Sequence, residues 1–309
     1  PLSGQPIDSV TTRFEGDGGA YLASVGTGIK VFKKISHNGL EESLSLGINA
    51  GYMFGKRFSS NRREFRNDSV QYFTGNFETR TNYGNINFNA GLQYIKPLKG
   101  KNMVFIAGIY GAWSQKLNAT QDRIRETSVY DENRGDLRLD SVEEVKDIKG
   151  KIILPSTITA GFTLQRFPDY KKKGGWLIGL DINSQNWESY RIYGQSDSVR
   201  NKFEVRLGGH IIPIPRDSYF SNVTYRWGFF TGPDYINVQN KLPSYGITMG
   251  FGLPVRNYNR LSPNQSSGIN LAFEYIKRGN SQNLVRESLF RVSASFSLSD
   301  IWFIKRQYN

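Results

Sequence analysis

The stretch NINFNAGLQYI at residues 85–95 decides the fold. Ile86, Phe88, Ala90, Leu92 and Tyr94 take every second position, and Asn85, Asn87, Asn89, Gly91 and Gln93 fill the positions between. A period of two is that of a β-strand, whose successive side chains point to opposite faces. One face here is apolar and the other is amide and glycine. Outward from this stretch the pattern recurs. Leu44, Leu46, Ile48, Ala50, Tyr52 and Phe54 alternate with Ser43, Ser45, Gly47, Asn49 and Gly51. Ile158, Ala160, Phe162 and Leu164 alternate with Thr157, Thr159, Thr163 and Gln165, and Phe290, Val292, Ala294, Phe296 and Leu298 with Arg291, Ser293, Ser295 and Ser297. The roughly 3.6-residue period of an amphipathic helix is almost absent.

The alternation predicts about eleven strands, near 20–32, 43–57, 82–96, 102–118, 154–166, 175–190, 201–211, 220–232, 244–254, 268–278 and 288–299. Each is roughly 10–16 residues long, beyond the usual ~5–6 and enough to cross a bilayer when tilted. Connections at 33–42, 97–101, 168–174 and 212–219 are short, and those at 58–81 and 118–153 are long. That alternation fits a transmembrane barrel with short periplasmic turns and longer outer loops. A soluble β-sandwich also alternates apolar with polar. It does not account for strands this long, or for a polar face so rich in Gly, Ser and Asn. Nor does it account for aromatics gathered near strand ends (Tyr21, Tyr52, Phe54, Tyr94, Trp113, Trp176, Trp187, Tyr225, Trp227, Tyr245, Tyr275 and Trp302), as in an interfacial girdle. The expected fold is therefore all-β, an antiparallel transmembrane β-barrel in a bacterial outer membrane. Residues 1–19 form an N-terminal segment or outer loop, 20–299 the barrel and 300–309 a periplasmic tail. Eleven is odd, whereas single-chain bacterial barrels hold an even number of strands, so at least one strand is expected upstream of Pro1.

Composition narrows the function. Among 309 residues there is no cysteine and only His37 and His210, so thiol chemistry, disulfides and a multi-histidine metal site are excluded. No apolar run reaches the ~18 residues of a membrane helix. No catalytic residue, cofactor or metal is expected. GTGIKV at 26–31 and GFGLP at 250–254 resemble phosphate loops only faintly, because neither opens a helix. The acidic stretch at 131–147 lacks the ligand spacing of a calcium loop. His210 has no serine that the sequence places beside it. The excess of 40 Lys and Arg over 27 Asp and Glu gives a net charge of +13. Lys33, Lys34, Lys96, Lys99, Lys101, Lys171, Lys172, Lys173, Arg216, Arg256, Arg260, Lys305 and Arg306 fall mostly in the short turns and tail. A basic rim suits anionic headgroups, an acidic partner or plain solvation. Nucleic acid is not expected, since no stacking aromatics interleave with the basic residues.

Several segments carry a family resemblance: GINAGYMFGKR at 47–57, NSQNWESY at 183–190, GQSDSVRNKFEVRLGGHIIPIP at 194–215, YRWGFFTGPDYINV at 225–238, SYGITMGFGLPV at 244–255 and FRVSASFSLSDIWFIKRQY at 290–308. In this order the chain resembles the long-chain fatty-acid transporter (FadL-like) family of outer-membrane barrels, in the form common in Bacteroidota. The resemblance implies a fourteen-stranded barrel that carries hydrophobic compounds through its lumen, with an N-terminal hatch. Neither the hatch nor the first strands can be matched here.

The strand phases place Asp181, Glu204, Arg206, Arg226, Glu274 and Arg291 on the inward face, together with the bulky Phe230. Charges sharing a narrow lumen are expected to pair. Arg206 or Arg226 would also suit a fatty-acid carboxylate, because the guanidinium fork binds carboxylates in bidentate fashion. Pro155, Pro254 and Phe230 are weak signs of disturbed strand pairing. The expected partners are outer-membrane lipid, a hydrophobic small molecule, and other outer-membrane or periplasmic proteins. Passive transport through the lumen is the first expectation. The alternative is a non-transporting barrel subunit of an outer-membrane secretion or barrel-assembly machine, which the polar inward faces favour.

Overall fold

The computed structural model describes residues 9–35, 41–66, 72–98, 102–131, 133, 135–169, 173–238, 240–255 and 267–298. Its strands are β1 (Ser9–Ile35), β2 (Glu41–Arg66), β3 (Thr74–Leu98), β4 (Met103–Ala112), β5 (Gln115–Asp131), β6 (Gly135–Leu154), β7 (Thr157–Arg166), β8 (Gly175–Gln185), β9 (Arg191–Ile192), β10 (Gln195–Ser196), β11 (Lys202–Ile212), β12 (Thr224–Val238), β13 (Asn240–Val255), β14 (Ser267–Arg278) and β15 (Glu287–Leu298). All fifteen belong to one antiparallel sheet. Joining β4 to β5, β6 to β7 and β8 to β9, and setting aside the two-residue β10, leaves eleven lines of chain that coincide with the eleven expected strands. Among the described residues β1 pairs only with β2 and β15 only with β14. These two free edges run in the same direction.

Three lines are interrupted at one level. Trp113 and Ser114 separate β4 from β5, Pro155 and Ser156 separate β6 from β7, and Asn186 to Tyr190 separate β8 from β9. The pairing shows what the interruption does. Opposite β3, the register runs Ala90↔Gly111 below the break and Gly84↔Asn118 above it, so one extra residue sits on the β4–β5 line. With a period of two, one extra residue exchanges the faces. Proline without an N–H at position 155 suits such a break.

The missing ladder bonds are replaced by side chains. The Gln115 carboxamide accepts from the Phe88 N–H at 3.1 Å and donates to the Phe88 carbonyl at 2.8 Å, as a paired backbone residue would. Ser114 Oγ donates to the Leu154 carbonyl, the Asn85 amide to the Lys116 carbonyl, and the Asn186 N–H to the Ser156 carbonyl. The break is thus sealed rather than open.

The outward face fixes where the membrane ends. Up β2 it reads Leu44, Leu46, Ile48, Ala50, Tyr52, Phe54 and then Lys56, Phe58, Ser60, Arg62, Glu64. On β1 the sequence Ile29, Thr27, Val25, Ala23, Tyr21 gives way to Gly19, Asp17, Glu15, Arg13. Tyr21 and Phe54 stack at 5.7 Å between centroids, and Phe54 and Tyr52 at 6.3 Å. Aromatics at the change from apolar to charged mark a bilayer interface. Beyond them the sheet continues. At about 3.3 Å per residue, the 26 residues of β2 far exceed what a bilayer requires. Residues 58–66, 74–81, 118–131 and 135–153, expected as parts of outer loops, are instead strands hydrogen-bonded from the membrane to their tips. β1 likewise starts at Ser9, so Ser9–Gly19 is strand rather than loop. The tail at 300–309 lies outside the described residues.

A small core covers the polar-side face just above the break, where Leu117, Ala119 and Ile152 are buried against Met53, Tyr83, Leu154, Tyr190, Ile192 and Tyr193. Tyr193 and Gly194, both at positive φ, turn β9 into β10. The Tyr193 ring lies where a Cβ on Gly150 would be, 2.2 Å from its Cε1, so only glycine fits beneath it.

The extended part is laced by ion pairs. Glu144 meets Arg138 and Lys146, each at 2.8 Å, and Arg138 also reaches Glu126 at 3.0 Å. Lys146, and then Arg138, hold the Glu144 carboxyl down to about 2. A carboxyl lowered by folding contributes stability above its ordinary value, and that contribution is lost as pH falls through the folded value. The Glu144 carboxylate is therefore expected to remain ionised through the range where free carboxylates protonate and to titrate only near 2. NMR of the labelled carboxyl reads this directly. A midpoint at the ordinary glutamate value would show that the cluster does not form.

Candidate functional site

The polar face gathers charge between β8 and β15. Glu204, near the start of β11, is 6% exposed. Both its oxygens are engaged, Oε2 by Lys202 Nζ at 2.9 Å and Oε1 by Arg206 Nε at 2.5 Å. The register sets Arg206 opposite Asp181 on β8 and opposite Phe230 on β12. The Phe230 ring lies over Gly246, where an added Cβ would stand 2.3 Å from Cε1. Arg278 binds Asp234 and reaches Glu287 at 3.0 Å. Arg291 reaches Glu274 at 3.2 Å. Arg226 donates to the Asn270 carboxamide at 2.8 Å.

Four of the seven expected residues, Glu204, Arg206, Phe230 and Glu274, line one cavity of about 580 Å³. Asp181 lies with Arg206 on the wall of an adjoining recess of similar volume. Arg226 and Arg291 line neither. Lys202, Asp234, Arg278 and Glu287 are the other charged residues of the first cavity, which Ser244, Ile276 and Leu289 also line, and were not expected there. Arg278 and Glu287 keep the alternation of Glu274 and Arg291, so extending the phase by four residues on each strand finds both. Asp234 keeps the alternation of Arg226 and Phe230 on β12, although the pairing with β13 is irregular between Pro233 and Asn237. His210 faces the same side, in register with Arg226.

The arrangement is an interlocked set of opposite charges. Partial burial makes each pair depend on both members, because removing one leaves a charge without its partner. Arg206 commits its Nε to Glu204, so part of its guanidinium fork serves the internal pairing. An apolar groove of about 590 Å³ exists, but on the opposite, outward face, beside Trp113, Gly111 and Ile158. Trp187, expected in the outward girdle, instead stacks on Tyr235 at 4.3 Å and donates to Gln185. Of the basic rim, Lys33, Lys34, Lys96, Lys173 and Arg216 lie at the end of the sheet that carries the short turns. Lys99, Lys101, Lys171, Lys172, Arg256, Arg260, Lys305 and Arg306 lie outside the described residues.

A large antiparallel sheet with one apolar face, one polar face and aromatics where the apolar band ends is of the outer-membrane β-barrel class. Within that class, the family model for BamG matches residues 3–309, and the chain belongs to the BamG family, a family of the barrel-assembly machinery. No curated protein and no solved structure matches it. The match corrects the resemblance to fatty-acid transporters. The segments behind that resemblance are alternating barrel strands, a pattern shared by barrels of unrelated function.

Proposed function

We propose that the protein is a non-transporting barrel subunit of the outer-membrane machine that inserts β-barrels, acting as scaffold and docking surface for other subunits. Membership of the BamG family carries this reading. The geometry supports it: the polar face is laced by mutually paired charges, whereas a fatty-acid conduit calls for an apolar interior pocket with a side opening. The part of the sheet beyond the membrane, β1, β2, β3, β5 and β6, offers a broad polar wall for a protein partner. Its mixed signs of charge favour a partner surface that is itself mixed rather than a uniformly charged one.

Native mass spectrometry of the protein extracted gently from its own outer membrane tests the reading. The expected result is a stable assembly with other barrel-machine subunits, together with a fall in folded outer-membrane barrels when the protein is depleted from cells. A lone chain carrying bound fatty acid, with barrel insertion unchanged on depletion, would sink it.

A further inference from the structure

Where the outward face leaves the apolar band, it carries a cavity of about 650 Å³. Tyr52, Asn82, Asn118, Lys149 and Lys151 form its polar wall. The register explains the grouping. Gly84 lies opposite both Phe54 and Asn118, and Asn118 opposite Lys151, while the next row up joins Asn82 to Thr120 and Thr120 to Lys149. Lys116, two residues before Asn118, adds a third ammonium on that face nearer the membrane. The Tyr52 hydroxyl lies over Gly84, 2.8 Å from where a Cβ would be.

These lysines differ from their neighbours. Lys56 is bridged to Asp17 and Lys146 to Glu144, but Lys116, Lys149 and Lys151 are exposed and make no salt bridge among the described residues. Asp122, further up the same face, instead accepts the Asp147 N–H. Unpaired ammonium groups beside a tyrosine at the edge of an apolar band match a phosphate at headgroup depth. Directly below lies the outward groove lined by Leu46, Ala90, Leu92, Ile109, Gly111 and Ile158 and headed by Trp113 and Asn186. Ala90 and Gly111 face each other in register, and their small side chains keep the groove clear. From Ala90 to Gly84 along β3 is six residues, roughly 20 Å, about half of the ~40–45 Å bilayer. The whole stripe on β3 runs from Leu92 to Asn82, roughly 33 Å of strand that at a ~45° tilt rises about 23 Å, and so has the length and polarity of one leaflet.

We propose that this stripe binds a phosphate-bearing anionic membrane lipid. Lys149 and Lys151 hold its phosphate, the Asn82 and Asn118 amides complete the hydrogen bonding, and an acyl chain lies in the groove beside Trp113. The site stands on the outward face and does not depend on which machine the protein serves. The phosphate of a phosphatidylglycerol and that of lipid A present the same chemistry, so both are probes.

In mild detergent, native mass spectrometry compares retention of phosphatidylglycerol, lipid A and phosphatidylcholine by the full chain. At least one anionic lipid should be retained well above phosphatidylcholine. The double variant Lys149→Gln/Lys151→Gln should weaken that retention roughly tenfold or more, and Ala90→Trp should weaken it by filling the groove. Lys33→Gln/Lys34→Gln, at the opposite end, should leave it unchanged. Folding of each variant is checked by its heat-modifiable gel mobility. Equal retention of anionic lipid by the wild type and the folded lysine variant overturns the proposal. So does displacement of the lipid by an equal concentration of inorganic phosphate, because the groove would then contribute nothing.

Discussion

Replacing Gln115 with leucine is expected to destabilise the folded protein by roughly 2–4 kcal/mol, although the side chain touches no ligand and pairs no charge. Gln115 is 8% exposed and stands at the interruption between β4 and β5. Its carboxamide supplies both hydrogen bonds that the Phe88 backbone would otherwise lack. Leucine fills similar space but leaves an N–H and a carbonyl unsatisfied where water is scarce, and such groups are expensive at membrane depth. The urea midpoint of the protein in lipid vesicles reads the effect. Ser114→Ala removes a single bond from an exposed hydroxyl to the Leu154 carbonyl, and should cost less than about 1 kcal/mol. A Gln115→Leu protein as stable as the wild type would mean that the break is sealed by something other than this side chain.

The second large effect concerns the two faces. Phe273 stands in register with Met249 and Val292 on the outward side, and Ile48 with Thr27 and Ala90. Arginine at either position should cost about 2–4 kcal/mol if it meets hydrocarbon near the middle of the bilayer. The same substitution at Ser293, which pairs with Ala272 on the polar side, should be close to neutral. Asn87 belongs to the same polar side of β3. The paired design matters because a generally fragile sheet would respond alike on both faces. Equal losses at Phe273 and Ser293 would remove the assignment of an outward, lipid-facing side, and with it the lipid stripe above Trp113.

Much of this architecture was legible because alternation of apolar with polar is a strong signal wherever one face meets lipid. All eleven lines are of that kind near the membrane. The signal fades where both faces meet water. Along 57–64, Arg57, Ser59, Asn61 and Arg63 alternate with Phe58, Ser60, Arg62 and Glu64, and nothing in that contrast distinguishes a strand from a loop. The tall hairpins were therefore invisible until their pairing was known. Face exchange at Trp113 was hidden for a related reason, since the expected strand at 102–118 runs straight through it, and Pro155 signalled disturbed pairing without revealing the exchange. Of the polar face, Glu204, Arg206, Phe230 and Glu274 followed from phase alone. Asp234 keeps the phase of Phe230 but stands past residue 232, where the expected strand ends. The transporter resemblance failed for the converse reason: period-two strands describe a way of living in a membrane, and function has to be sought elsewhere.

The uneven treatment of the membrane boundary has a mechanical consequence. β2 and β3 stay in register without a shift from Ser43↔Ile95 to Arg63↔Gly75, straight through the interface. Their neighbours β4–β5 and β6–β7 cross the same level with an interruption in each. One half of the protruding wall is consequently a stiff strut fixed in the bilayer, and the other half is jointed at its base. A load applied near Arg63 is carried directly into the membrane-embedded strands. A load applied near Asp131 falls first on the joint, whose resistance to bending is set by a few side-chain bonds, those of Gln115 foremost.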